Sequence, residues 1–136
     1  MRVETIEHAL RFVPCEGDDL ANACRDYEAL APIHFRGVES LYRLTVEGYF
    51  TAEQVCFNVQ PAFVLWWSKS IEGSLCIHAV QSLQSKAPIQ VLFLAGDKIC
   101  QREACNSIVV SSTRQGMVKL AMKHGYKFHS LTMRKE

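Results

Sequence analysis

Five histidines and six cysteines carry much of the reactive chemistry in this 136-residue chain, and their spacing limits what they can do. His78 lies inside the apolar run Cys76-Ile77-His78-Ala79-Val80, and Glu72 stands in the turn before it. Imidazole is the side chain whose charge changes nearest neutral pH, so His78 is the first candidate for acid–base work and Glu72 the second. A lone histidine in an apolar strand serves equally well as a hydrogen-bonded sheet residue, and both readings stand at this point. The cysteines at 15, 24, 56, 76, 100 and 105 include no Cys-x-x-Cys pair, and the histidines at 8, 34, 78, 124 and 129 are as scattered. No metal-ligand spacing is present, and no metal is expected. The thiols are expected to be reduced and packed as small apolar groups, with any exposed ones open to oxidation. A Ser-His-Asp or Cys-His constellation leaves no local trace to read, because such groups assemble in space.

The elements that position these residues come from one ordinary domain, residues 1–136, long enough to bury a core without disulfides or metals. The formal net charge of +1 provides no field to attract nucleic acid or an anionic membrane surface. No apolar stretch approaches the roughly 20 residues a membrane helix needs, and Met1-Arg2-Val3-Glu4-Thr5 lacks the core of a secretion signal, so the cytoplasm is the expected location. No internal repeat or low-complexity linker divides the chain.

Val3 to Val13 has weak strand character, and Cys15 to Asp19 turns the chain toward a helix over residues 19–30, capped by Asp18 or Asp19 and closed by Pro32. Between Val38 and Gly48, the steps Val38, Leu41, Leu44 predict a second helix, although Tyr42, Leu44 and Val46 also alternate as a strand would. Thr51 and Gln54 have capping-box spacing, which predicts a short helical turn from Ala52 toward Phe57, ended by Pro61. Phe63-Val64-Leu65-Trp66-Trp67 and Leu75-Cys76-Ile77-His78-Ala79-Val80 predict a hairpin turned at 71–74, with the two tryptophans on opposite faces. A helix is expected from Ala87 or Pro88 to about Ala104, although Ile89 to Gly96 is rich enough in strand formers to be a strand.

The most informative order of elements lies at the end of the chain. Ser107 to Ser111 is a β-branched strand, Ser112 and Gln115 form a capping box, and Met117, Leu120 and Ala121 give the next helix an apolar face. Gly125 stops that helix, and a strand is expected from Tyr126 to Met133. On Lys123, Gly125 and Tyr126, which match a Lys-x-Gly-Phe-like turn after a strand and helix, the segment resembles the C-terminal part of the GNAT superfamily of N-acetyltransferases. The helix departs from the family pattern: Arg114 stands where an asparagine is expected, and Leu120 is followed by Ala121 where a tyrosine often protonates the leaving thiolate.

The resemblance implies an α/β (α+β) fold with a mixed, largely antiparallel central sheet flanked by helices. It also implies an enzyme that takes acetyl-coenzyme A as cofactor and an amine as substrate. In that reading His78 is the catalytic base beside a splayed strand, and Val80 and Gln81 meet the pantetheine arm. Ser85, Lys86 and Ala87 hold the pyrophosphate at a helix start. A competing alignment puts the phosphate loop at Arg114-Gln115-Gly116-Met117-Val118, after a strand, but too little chain follows it to complete the fold. Family members carry glycines in that loop, whereas Gln81 to Pro88 has none. The alternative is a GNAT-shaped protein without catalysis, similar to internal virion proteins of short-tailed phages, with a protein partner in a virion as the consequence. A fold outlasts the loss of its site, so the missing polar residues lower the enzyme reading only.

Overall fold

The computed structural model of the chain describes Ile6 and residues 8–30, 38–83 and 89–110. Within them the order is β1 (Leu10–Pro14), α1 (Gly17–Leu30), α2 (Val38–Val46), β2 (Thr51–Phe57), β3 (Gln60–Lys69), β4 (Ser74–Ser82), α3 (Ile89–Arg102) and β5 (Ser107–Val110). The strands form one sheet in the order β1-β2-β3-β4-β5. Neighbours from β1 to β4 are antiparallel, and β4 and β5 are parallel, joined by the crossover that contains α3.

β3 runs through the middle of the sheet, and the run Ala62 to Trp67 is buried on both faces. Its side chains alternate between two cores. Phe63, Leu65 and Trp67 join Leu75, Ile77 and the α3 residues Val91, Leu92, Ala95 and Ile99. Val64 and Trp66 join Leu20, Ala23, Cys24 and Tyr27 of α1 and Leu41 of α2. The adjacent tryptophans therefore serve opposite layers, as their alternation predicts. The α1 residues recur at helical spacing on one face, and Asp18 and Asp19 sit in the first turn, where the helix dipole favours negative charge.

Two expectations need correction. Thr51–Phe57 is not a helical turn but the strand β2, paired with β1 on one side and β3 on the other. The capping-box spacing is a local signal; the ladders on both edges and the burial of Ala52, Val55 and Cys56 override it. Pro61 does not stop a helix; it opens β3 beside an irregularity at Val55/Cys56, where a missing N–H is tolerated. At the front of the chain, Ile6, His8 and Ala9 are helical and strand begins only at Leu10. The ambiguous segment from Ile89 is helix, and Val38–Val46 is helix as its three-residue steps predict. The expected capped helix from Ser112 and the strand from Tyr126 to Met133 lie outside the described residues.

Candidate functional site

The site is built on an irregularity in β4. Trp66 pairs with Ala79 and Trp67 with Ile77, so one residue, His78, has no counterpart on β3. A bulge of this kind re-aims a side chain without breaking the sheet. Leu75, Ile77 and Val80 pack on the α3 side, while Ala79 belongs to the core under α1 and α2. His78 turns to the α1 and α2 side, where its ring stacks on Phe50 at 4.1 Å between centroids and 15° between planes. Ser68 Oγ, on β3, lies 2.7 Å from His78 Nε2.

Both partners are held by their own elements. Gly48 lies just past the end of α2, and its φ of 90° is the left-handed conformation a glycine takes after a helix. Gly48 N–H donates to Thr45 O, and the N–H groups of Tyr49 and Phe50 both donate to Leu44 O, at 2.9 and 3.1 Å. This cap fixes where the Phe50 ring leaves the helix. Ser68 follows Trp67 on the strand next to β4, so its hydroxyl reaches across to the bulge.

Burial lowers the His78 pKa from its ordinary value of 6.5, because a half-buried imidazolium loses hydration. The ring is therefore neutral at pH 7 and able to accept a proton. The Ser68 hydroxyl can donate to or accept from Nε2, so it holds the ring in either neutral tautomer without adding charge. Sequence reasoning missed Ser68 and Phe50. Neither is near His78 in the chain, and only the hairpin register and the α2 cap bring them to it.

Other reactive groups are less suited to chemistry. Glu53 is a second feature that the sequence hid: it is 8% exposed, yet accepts a hydrogen bond from Trp67 Nε1 at 2.9 Å and two from the Arg102 guanidinium at 2.6 and 2.9 Å. Arg102 also lies 5.8 Å from the ring centres of both Phe12 and Trp67. Both charges are consumed by this contact, which ties the end of α3 to β1, β2 and β3. Burial pushes the Cys15 and Cys24 thiols up to about 11 and about 12, so neither supplies a thiolate at neutral pH. Among the described residues no group of three or more His, Cys, Asp or Glu side chains is placed to hold a metal ion, and no helix is long and apolar enough to cross a membrane.

Of the residues singled out in the sequence, His78, Val80 and Gln81 lie together on the second half of β4. Val80 packs its side chain toward the α3 core, and buried Gln81 donates to Ser82 O at 3.3 Å, leaving backbone groups as their means of meeting a ligand. Ser85, Lys86, Ala87 and Arg114 lie outside the described residues. The β4–β5 ladder is described as far as Ile77↔Val110.

No protein-family profile matches the chain, and no curated protein matches it. Solved structures do. A GCN5-related N-acetyltransferase from Ralstonia eutropha JMP134 matches with a TM-score of 0.63 at 14% identity, over 93% of this chain and 97% of that one. A GNAT family acetyltransferase from Staphylococcus aureus matches with a TM-score of 0.60 at 12% identity, over 94% and 98%. The aminoglycoside N-acetyltransferase AAC(6')-Iy, in complex with CoA, matches with a TM-score of 0.64 at 9% identity, over 93% of each chain. At such identities the likeness is one of fold, and the fold is that of the GNAT acetyltransferases.

Proposed function

We propose that this chain, folded as a single domain, is a divergent N-acetyltransferase that transfers the acetyl group of acetyl-coenzyme A to an amine, with His78 as the base. The observation that carries this reading is a neutral imidazole at a β4 bulge, held by Ser68 and Phe50 and turned away from the α3 core. Acetyl-coenzyme A supplies an activated thioester. His78 takes the proton that the amine gives up as its nitrogen bonds to the acetyl carbon, while the carbon–sulfur bond breaks and coenzyme A leaves as a thiolate that takes a proton from water. The stacked Phe50 ring and the Ser68 hydroxyl hold the imidazole in place, and burial keeps it unprotonated before the reaction. In this reading the backbone of β4 from His78 to Ser82 meets the amide-bearing arm of the cofactor, since strands bind extended chains through backbone hydrogen bonds. In this reading Ser85, Lys86, the Ala87 backbone and Arg114 hold the phosphates.

A second reading, a GNAT-shaped protein without catalysis such as those in short-tailed phage virions, is favoured by the loop Gln81 to Pro88, which contains no glycine. Calorimetric titration with acetyl-coenzyme A separates the two. Saturable binding that weakens about tenfold in Lys86→Ala, the loss of one charge-assisted contact, supports the acetyltransferase. No heat at millimolar ligand sinks it and leaves the non-catalytic reading.

A further inference from the structure

Two of the six cysteines meet at the end of α3, in a motif that brings their side chains together. Glu103 N–H donates to Ile99 O, Ala104 N–H to Gln101 O and Cys105 N–H to Cys100 O, the last at 2.9 Å. Ala104 has a φ of 56°. This is a Schellman cap, in which the residue two past the cap folds back over the residue that opens the last turn. In most such caps the two contacting side chains are apolar. Here they are Cys100 and Cys105, both partly exposed and packed against the α3 core. Cys100 Sγ lies 3.4 Å from Cys105 O and 3.8 Å from Ser107 O, so it points into the turn that leads to β5. No disulfide joins them.

We propose that Cys100 and Cys105 form a redox-active dithiol that closes to an intramolecular disulfide on exchange with a low-molecular-weight disulfide such as oxidised glutathione. One thiolate of the pair attacks a glutathione sulfur and releases one glutathione thiolate. The other attacks the mixed disulfide and releases the second. The protein loses two hydrogens, and one oxidised glutathione becomes two reduced ones. The 6→1 hydrogen bond holds the two residues side by side, with Cys100 Sγ already 3.4 Å from the Cys105 carbonyl, so closure calls on side-chain rotation rather than unfolding. Burial and the neighbouring Cys105 raise the Cys100 pKa, so exchange accelerates as pH rises above neutral. The closed form staples the end of α3 to the start of β5.

Cys76 is the competing thiol, since it lies within electrostatic reach of Cys105. The test incubates the full chain and its Cys76→Ser variant at pH 8 with glutathione mixtures of increasing oxidation, then quenches with acid and maps the peptides by mass spectrometry. The expected result in both proteins is a Cys100–Cys105 linkage at the loss of two hydrogens, absent from Cys105→Ser, with Tm raised by about 5 °C on closure. Glutathione adducts on separate cysteines with no internal linkage, or a linkage of either cysteine to Cys76 alone, overturns it.

Discussion

At the residue scale, the behaviour of His78 follows from its lowered pKa. Between that value and 6.5 the unfolded chain binds more protons than the folded one, so stability falls as pH falls through this window. The His78→Gln variant lacks this titration. Its stability relative to wild type is therefore expected to improve as pH is lowered from about 7 to about 5, read from urea midpoints at each pH. If the imidazole is the base, the same substitution lowers kcat about 100-fold with little change in KM, and wild-type kcat/KM rises with pH to a plateau reached before neutral pH. A second residue is strained. Asn58 and Val59 form the two-residue turn between β2 and β3, with φ of 53° and 58°. Both central residues of a type I′ turn need positive φ, which asparagine tolerates and β-branched valine resists. Val59 is 85% exposed, so no packing compensates. Val59→Gly is expected to stabilise the protein by about 1 kcal/mol in thermal or denaturant unfolding.

At the element scale, the question is what holds α3 against the sheet. The apolar face through Val91, Ala95 and Ile99 supplies much of the adhesion, and the Glu53–Arg102 pair fixes the helix end. Removing the carboxylate leaves the Trp67 N–H buried without its acceptor and the Arg102 guanidinium without its bidentate partner. Arg102 keeps 41% of its side chain in solvent, which moderates the penalty. Glu53→Ala is expected to cost about 2 kcal/mol in denaturant unfolding. A cost below a few tenths would show that the apolar face alone sets the helix position. β5 has its own anchor: Asn106 N–H donates to the carbonyl of Gly73 at 2.9 Å, and its side chain would lie 3.2 Å from any Cβ added there. Together with a φ of 90°, this contact explains why a glycine closes the β3–β4 turn.

At the scale of the whole molecule, the sheet lies between two apolar cores, and β3 contributes side chains to both. β3 has ladders on both edges and burial on both faces, so its amides from Val64 to Trp67 are expected to exchange most slowly with deuterium, ahead of those in β1. Much of this layout could be read from the chain. Two apolar runs around a turn marked the hairpin, and helical spacing marked α1 and α2, whereas the segment of α3 was left open between helix and strand. β2 was misread because the capping spacing of Thr51 and Gln54 is a short-range signal, whereas strand pairing is decided by partners far along the chain. The candidate site was read only in part, for the same reason. His78 stood out as a titratable group in an apolar run, but Ser68, Phe50 and the Glu53–Arg102 contact exist only once the sheet register is set. The bulge at His78 also shows how the two halves of β4 relate. Before it, odd-numbered residues face α3; after it, even-numbered Val80 does. The strand thus carries a phase slip, and its reactive group is the inserted beat. Deleting His78 would restore an unbroken rhythm in which every buried neighbour keeps its side, so this chemistry could be gained or lost by a single codon while both cores stay as they are.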